Sequence, residues 1–304
     1  MLKTNLSLGS SAPATKNESD RGPMPMTSTL RAQLAGRIHN IPWASQTKLN
    51  TSSQANDGIP QHVYVSVKKR DFIVSQSIAN CRDINPGYEL HTVDDASIQQ
   101  FVEDKAPILL PVFKKLNGVE RSDFWRYLIL WSQGGYYIDS DINCMKPFST
   151  WNPAFDGQAK AIIGIEAIEP GTSHGGGAFC CPVQYNNWAM ASTPGHPLFE
   201  HVIDLILDQF SLTAMDQHSN AAQHLDHIVW KTGPGVLTRA VEHYLASFDK
   251  YSSDVATEHA ELVGDVGVFP QVALASSDHA PSSAVYSQVY VRHMFAGSWK
   301  DKTQ

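Results

Sequence analysis

The sequence predicts an α/β fold with a mostly parallel central sheet, and three observations lead to that prediction. In the segment "IPQHVYVSV", Val63, Val65 and Val67 alternate with other residues, as residues on the buried face of a strand do. The segment "NGVERSDFWRYLILWSQGG" instead places its apolar residues at helical spacing. Strand and helix signals then alternate from about residue 58 onwards, which is typical of parallel strands joined by helices.

The next elements follow from turn and helix signals in "NPGYELHTVDDASIQQFV". The turn-forming residues Asn85–Gly87 precede a strand that we expect over Tyr88–Val93. A helix is expected from about Ser97. Together with the opening strand, these elements would begin the alternation of strand and helix.

The longest helix signal has recognisable start and stop residues. Asn117 and Glu120 have the spacing of a capping box, which satisfies free amides at a helix start. Gly134 can end the helix because glycine adopts positive φ angles without steric cost. We expect one apolar stripe on this helix, at i, i+4 and i+7: Phe124, Leu128 and Trp131.

Further elements complete one folded domain. A strand is expected over Tyr136–Ile138, and "AKAIIGIE" predicts another. The segments "GHPLFEHVIDLILDQF" and "GVLTRAVEHYL" predict amphipathic helices, the first with Pro197 in its first turn. No internal repeat is visible, so we expect a single domain over residues 58–304.

Composition excludes some classes of function. The chain has 304 residues, 42% of them hydrophobic and 17% charged, which is the balance of a globular protein. Its formal net charge of -7 argues against nucleic acid as a partner. The cysteines have no zinc-ligand spacing; one or two disulfides are possible, and the redox compartment stays open. They are Cys81, Cys144, Cys180 and Cys181.

Residues 1–57 predict a disordered polar arm or stem, because they have few large apolar residues to bury. The arm contains glycosylation sequons at Asn5, Asn17 and Asn50, which suit a luminal stem but also arise by chance in Ser-rich sequence. No run of about 18 apolar residues predicts a membrane span, and no signal peptide is visible. We therefore expect either a cytosolic protein or a secretory protein whose natural gene carries a further N-terminal signal or anchor.

Two acidic residues stand one residue apart in "QGGYYIDSDINC". Residues i and i+2 of a strand share a face, so Asp139 and Asp141 can converge at the strand end. Two carboxylates so close repel each other unless a cation lies between them, and hard divalent ions such as Mg²⁺ or Mn²⁺ prefer these oxygen ligands. The simpler interpretation of so short a motif is a solvated turn.

Asp123 and Arg126 lie on one face of the preceding helix because they are three residues apart. Their simplest interpretation is a surface ion pair, which contributes little. Alternatively, the helix packs under the strand and directs an acid and a guanidinium toward the same pocket. Arg suits phosphate groups or networks of sugar hydroxyls and carboxylates.

The segment "ERSDFWRYLILWSQGGYYIDSDINCMKPF" resembles the signature of glycosyltransferase family 32, the DXD-containing family that includes fungal Golgi initiating α-1,6-mannosyltransferases. "IPQHVYVSV" is similar to the family's opening strand, without the tryptophan expected near its end. "NPGYELHTVDD", "NNWAMASTPGHPLFEHVI", "KTGPGVLTRAV" and "VRHMFAGSWK" resemble further blocks. The resemblance covers residues 59–300.

The resemblance implies a GT-A-like (Rossmann-like) single domain that binds a nucleotide-sugar with Mn²⁺ or Mg²⁺. It implies that Asp141 ligates the metal and that Asp139 contacts the ribose, the sugar or the metal. Asp123 and Arg126 match positions that hold the hydroxyls of the donor sugar. His293 matches the histidine that often supplies the third protein ligand, although from the residues alone it reads as a core histidine.

Two further segments are candidate substrate contacts. Ser298 and Trp299 match the place where such enzymes close a C-terminal segment over the diphosphate, and Trp299 would either donate its indole N–H or simply pack. Gly233 lies in a Gly-Pro-Gly loop before a helix, where free N–H groups would face an anion or an acceptor sugar. The ordinary interpretation of that loop is a turn and a helix start.

The resemblance implies a metal-dependent retaining glycosyltransferase that moves a hexose, most simply mannose from GDP-mannose, onto a glycan or glycoconjugate acceptor. The alternatives are a UDP-sugar-dependent galactosyl or glucosyl transferase, a catalytically silent glycan-binding or scaffold relative, and a phosphohydrolase, which would need more carboxylates near the pair. Asp123 and Glu166 are candidate carboxylates near the anomeric carbon, but a front-face route needs no nucleophile. The resemblance favours the lumen of the Golgi or secretory pathway.

Overall fold

The computed structural model of the protein describes residues 58–68, 72–168, 179–212, 228–255, 258–275 and 286–295. All structural statements concern these ranges. The predicted N-terminal arm and its three sequons, and also Ser298 and Trp299, lie outside them. The prediction of one domain over residues 58–304 therefore stays a prediction.

The strands form an eight-stranded sheet and a separate two-stranded sheet. The described strands are β1 (His62–Ser66), β2 (Glu89–Val93), β3 (Gly135–Asp139), β4 (Ile142–Cys144), β5 (Ala161–Ile168), β6 (Val183–Tyr185), β7 (Ala189–Ser192), β8 (Glu261–Val263), β9 (Val266–Phe269) and β10 (Val291–His293). In the large sheet the order is β2-β1-β3-β7-β5-β9-β8, and β6 pairs with β5. The small sheet joins β10 to β4.

The prediction of an α/β fold with a mostly parallel sheet is confirmed. Strands β1, β2, β3, β5 and β9 run in one direction, since β1 pairs parallel with β2 and β3, and β5 pairs parallel with β9. Strands β6, β7 and β8 run the opposite way. Among these, β7 lies between β3 and β5 and so joins the two parallel parts of the sheet. The sequence did not predict these antiparallel strands, because short buried strands carry little periodicity.

Helices cover both faces of the large sheet. They are α1 (Phe72–Asp83), α2 (Asp95–Lys105), α3 (Leu110–Phe113), α4 (Gly118–Gln133), α5 (Pro197–Leu212), α6 (Pro234–Ala246) and α7 (Gln271–Leu274). Buried residues of α2, α4, α5 and α6 form one core with the sheet, and those of α1 and α7 form another on the opposite face. The predicted element types are confirmed, with boundaries shifted by one or two residues. No helix in the described ranges has the length and apolar character needed to cross a bilayer.

Helix α4 is buried on nearly all sides, which differs from the single apolar stripe that its spacing predicts. Its Asn117–Glu120 capping box is present, as predicted. Asp123 and Arg126, however, are only 5% and 6% exposed, so their interpretation as a surface ion pair is wrong. The helix lies in a sandwich between the sheet and α5, so even its polar face is enclosed.

Two glycines make the tight connection from α4 to β3. Gly134 and Gly135 have φ angles of 66° and 95°, which non-glycine residues rarely adopt. A Cβ at Gly134 would lie 2.7 Å from the carbonyl oxygen of Ser192, and one at Gly135 would lie 2.6 Å from that of His62. The double glycine therefore lets β3 start immediately after the helix and fixes where β3 ends.

A disulfide joins Cys81 of α1 to Cys144 of β4. Cys180 and Cys181 are buried free thiols. The disulfide connects one layer of the fold to the small sheet, whose other strand, β10, carries His293.

Candidate functional site

The two aspartates and His293 meet where β3 ends. Asp139 is the last residue of β3, and Asp141 lies in the turn that leads into β4. β10 pairs antiparallel with β4 with His293 opposite Ile142, so the histidine is placed beside the turn. The backbone N–H of Met294 also donates to the carbonyl of Asp141 (3.0 Å). The small sheet therefore assembles the cluster from two distant parts of the chain.

The ligand atoms of Asp139, Asp141 and His293 all lie within 4.8 Å of one another. His293 Nε2 is 3.3 Å from Asp141 Oδ1. Burial raises the pKa of Asp139, and the neighbouring carboxylate of Asp141 raises it further, while Arg126 and His293 act in the opposite direction. Two carboxylates and one imidazole, gathered at a position that favours positive charge, fit a divalent cation.

Aromatic rings hold His293 in place. Its ring stacks on Trp188, with centroids 4.8 Å apart and planes 18° apart. The ring of Phe295 contacts the imidazole edge-on, with ring centroids 4.0 Å apart. The indole N–H of Trp188 donates to the carbonyl of Leu274 (3.0 Å), which fixes the stacked ring. His293 Nδ1 is buried without a hydrogen-bond partner, so the ring is oriented by its aromatic neighbours and by Asp141.

Arg126 connects the buried helix to the end of the strand. Its Nη2 lies 3.1 Å from Asp123 Oδ1 and 3.3 Å from Asp139 Oδ1. Its Nη1 donates to the carbonyl of Asn187 (2.7 Å), and its guanidinium lies 4.9 Å from the ring centre of Tyr137. The Tyr137 hydroxyl donates to Asp139 Oδ1 (2.8 Å). The interpretation in which α4 directs an acid and a guanidinium toward the aspartates therefore describes the geometry.

Asp123 is saturated by fixed donors. Asn187 Nδ2 donates to its Oδ1 (3.2 Å), and the hydroxyl of Thr232 donates to its Oδ2 (3.0 Å). Burial raises the pKa of Asp123 to about 7, against the opposing effect of Arg126. With both oxygens occupied, Asp123 is placed to position Arg126 and Asn187 rather than to attack a sugar carbon.

Glu166 of β5 is the other candidate carboxylate. Gln184 Nε2 donates to its Oε2 (2.7 Å). Burial raises its pKa to about 7, and the charge of His293 partly offsets this effect, so Glu166 lies within electrostatic reach of the cluster. It is therefore a half-buried carboxyl near the site whose pKa lies well above that of an ordinary glutamate.

Gly233 reaches the site only through its backbone. Its N–H donates to the carbonyl of Ile228 (2.9 Å), and its carbonyl accepts from the Tyr127 hydroxyl (3.2 Å). Its N–H thus already has a partner, as in the turn-and-helix-start interpretation of the Gly-Pro-Gly loop. The loop presents Thr232 to Asp123 instead.

Sequence reasoning missed the polar residues that support the site. Asn187, Thr232, Tyr137 and Gln184 are buried, and each bonds a carboxyl group described above. Single buried polar residues carry no periodic signal. The segments "NNW" and "KTGPG" that contain Asn187 and Thr232 nevertheless belong to the blocks of resemblance.

Comparisons with known proteins place the chain among DXD-containing glycosyltransferases. The family model described as "Glycosyltransferase sugar-binding region containing DXD motif" matches residues 72–156, from the start of α1 to just beyond β4. The chain is 31% identical over 214 residues to the initiation-specific alpha-1,6-mannosyltransferase of Schizosaccharomyces pombe, covering 68% of this chain and 52% of that protein. It is 25% identical to the protein of the same description from Candida albicans, covering 72% of this chain and 65% of that one.

The description of one further relative names an acceptor. Inositol phosphoceramide mannosyltransferase 2 of Schizosaccharomyces pombe is 30% identical over 125 residues, covering 41% of this chain and 31% of that protein.

Among solved structures, PaToxG glycosyltransferase has a TM-score of 0.46 and 15% identity, covering 73% of this chain and 79% of that one. A similarity at that level bears on neither activity nor substrate. The chain spans about half to two thirds of the length of the two alpha-1,6-mannosyltransferases, from Schizosaccharomyces pombe and Candida albicans.

Proposed function

The chain belongs to glycosyltransferase family 32, the DXD-containing sugar transferases, and from that premise we propose that it is a metal-dependent retaining glycosyltransferase acting on a nucleotide-sugar. The observation that carries the proposal is the convergence of Asp139, Asp141 and His293 within 4.8 Å. Paired carboxylates with an imidazole bind Mn²⁺ or Mg²⁺ beside phosphate oxygens. A cation held there would supply positive charge to the diphosphate as its bond to the sugar breaks.

The residues around the cluster divide into roles. Asp141 and His293, which are already in contact, hold the cation together with Asp139. Asp139 and Arg126 also face the donor, since they lie together at the carboxyl end of β3. Asp123 acts by fixing the orientation of Arg126 and Asn187. Gly233 supports this network, while Ser298 and Trp299 remain proposed contacts to the diphosphate outside the described residues.

The proposed transfer follows the front-face route, in which the leaving phosphate accepts the proton of the acceptor hydroxyl. Asp123 has both oxygens occupied and so suits no nucleophilic step. The route would be undermined by trapping a covalent glycosyl-enzyme on Asp123 or Glu166.

The proposed donor is GDP-mannose. The three relatives found by sequence and named above are all described as mannosyltransferases, and only one of those three descriptions names an acceptor, inositol phosphoceramide. The transferred sugar is thus the shared element, and the acceptor is proposed only as a glycan or glycoconjugate. The disulfide between Cys81 and Cys144 supports a site of action in the oxidising lumen of the secretory pathway.

The test is nucleotide release from a panel of GDP- and UDP-sugars, with and without Mn²⁺. We expect metal-dependent turnover of GDP-mannose that is lost in Asp141→Asn, because the variant removes a charged ligand and leaves a similar shape. Turnover of a UDP-sugar instead would correct the donor. If no donor is turned over and calorimetry shows no metal-dependent nucleotide binding, the enzyme proposal is overturned.

A further inference from the structure

We propose a second metal site, formed by His62, Glu89 and His91, that binds Zn²⁺ or a similar late transition metal and fixes strand β2 to strand β1. The ligand atoms of these residues lie within 4.8 Å of one another. The site is independent of the proposed glycosyl transfer, because none of its residues contributes to the DXD cluster.

The strand register brings the three residues together. β1 and β2 pair in parallel, with His62 opposite Glu89 and Tyr64 opposite His91. Because alternate residues of a strand share a face, all these side chains lie on the same side of the sheet. The site is at the amino-terminal end of β1, whereas Ser66 at the other end pairs with Asp139. At about 3.3 Å per residue, the two clusters are about 13 Å apart along the strand.

The separations of the ligand atoms are close to those between ligands of one zinc ion. A tetrahedral Zn²⁺ with ligands at about 2.0–2.1 Å separates neighbouring ligand atoms by about 3.3–3.4 Å. His62 Nδ1 is 3.2 Å from His91 Nε2 and 3.5 Å from Glu89 Oε2. His91 Nε2 is 3.9 Å from Glu89 Oε1. The two distances to Glu89 involve different oxygens of its carboxylate, so this exposed side chain would have to turn to place one oxygen between both imidazoles.

The donor set selects the kind of metal. Two imidazole nitrogens and one carboxylate suit zinc and its neighbours, and such a set leaves a fourth position for water. The imidazoles must be neutral to bind a metal ion, so zinc affinity should fall at acid pH. The DXD cluster, with two carboxylates and one imidazole, has the harder donor set.

The surroundings orient the site and leave it accessible. The His91 ring stacks on Tyr64 at 5.1 Å with an angle of 17° between planes, so one ligand is fixed by a buried side chain. The imidazoles of His62 and His91 are each 22% exposed, and the Glu89 carboxylate is 60% exposed. In the described part of the sheet, β2 is the outermost strand on its side. A metal across β1 and β2 would therefore stabilise an edge strand.

The test measures Zn²⁺ bound per chain and the change in Tm. The full chain, freed of metal with a chelator, is titrated with ZnCl₂, and bound zinc is measured after equilibrium dialysis. We expect His62→Gln and His91→Gln each to bind one zinc fewer than the wild type. At a hundredfold excess over Kd, zinc should raise the wild-type Tm by about 5–10 °C and these variants by much less.

The chain offers a matched control. His201 and His243 also contact each other, with ring nitrogens 3.0 Å apart, but no described carboxylate completes a three-ligand group there. The double variant His201→Gln/His243→Gln should retain the zinc and the rise in Tm.

Glu89→Gln tests the site without altering a half-buried side chain. The exposed carboxylate should tolerate the change, and zinc affinity should fall at least about tenfold, the lower bound for losing even an outer partner. The proposal is overturned if His62→Gln, His91→Gln and Glu89→Gln bind as much zinc as the wild type with the same Tm response. It is equally overturned if only the His201→Gln/His243→Gln variant loses the zinc.

Discussion

The two ends of the β1–β3 sheet region carry clusters made of the same groups, carboxylates and imidazoles, in very different surroundings. At the carboxyl end, Asp139 is bonded by Arg126 and Tyr137, and His293 is stacked on Trp188. At the amino end, Glu89 is exposed, and the His91 ring stacks on the buried ring of Tyr64. The comparison teaches that the supporting residues, more than the ligands, distinguish a site arranged for chemistry from one that would only fasten two strands.

The largest expected effect comes from removing the buried support of the first cluster. Arg126→Leu leaves Asp123 and Asp139 without their cation, and breaking a buried pair in this way should cost about 3–5 kcal/mol in the free energy of unfolding. Urea unfolding followed by circular dichroism measures the change.

The control for that variant is a partly exposed ion pair. Lys250 lies 2.7 Å from Glu261, and their side chains are 27% and 23% exposed. Lys250→Leu should cost about 0–1 kcal/mol. Equal losses for the two variants would show that the guanidinium gives no special support to the cluster.

Ligand variants at the two ends should separate activity from metal-linked stability. We expect Asp141→Asn to lower nucleotide-sugar turnover at least about 100-fold, the scale of losing one group that stabilises developing charge. Glu89→Gln should leave turnover within about twofold, because it lies about 13 Å from the DXD cluster. Parallel assays with saturating Mn²⁺ measure both, and a large loss in Glu89→Gln would mean that the two ends act together.

A smaller effect is expected from the aromatic support of His293. Trp188→Phe keeps a ring for stacking but removes the indole N–H that donates to Leu274 (3.0 Å). Without this hydrogen bond the phenylalanine ring can tilt and should orient the His293 imidazole less well. We therefore expect the affinity for Mn²⁺ to fall about tenfold. Calorimetric titration with Mn²⁺ measures the affinity, and an unchanged value would assign the orientation of His293 to Phe295 and Asp141.

The histidine pair without a carboxylate gives the smallest predicted effect. Burial, together with the charges of His243 and Arg239, lowers the pKa of His201 to about 4. Because the pKa of the folded state lies below the unfolded value of about 6.5, this histidine contributes full stability above pH 6.5 and loses it as the pH falls toward 4.

At pH 5 the loss should be about 1 kcal/mol after allowance for partial exposure. His201→Gln should remove that part of the pH dependence, as measured by urea unfolding at pH 7 and pH 5. A variant that keeps the wild-type slope would place the titrating group elsewhere.

Features that depend on residues close together in the sequence could be predicted, whereas features that depend on residues far apart in the sequence could not. Helix α4 and its cap follow from Asn117, Glu120 and Gly134, because capping depends on residues within one turn. The convergence of Asp139 and Asp141 likewise follows from neighbouring positions. The placement of His293 needed the pairing of β10 with β4, which no local pattern contains, so the family resemblance indicated it.

The burial of Asp123 and Arg126 could not be predicted from the sequence either. Their spacing correctly indicates a shared face of α4, but whether that face meets water depends on α5, the loop before α6 and the segment around Asn187. The antiparallel strand β7 and the pairing of His62 with Glu89 also depend on neighbours in space. Sequence patterns identify the elements, and the packing of those elements decides the environment of each charge.

The pairing of β10 with β4 has a consequence for protein synthesis. Ribosomes make the chain from its amino end, so Asp139 and Asp141 emerge long before His293 does. While the chain is still growing, the two carboxylates stand without their imidazole, and the nascent polypeptide has only part of the proposed cation site. Metal loading would thus be postponed until the strand that carries His293 has left the exit tunnel and paired with β4.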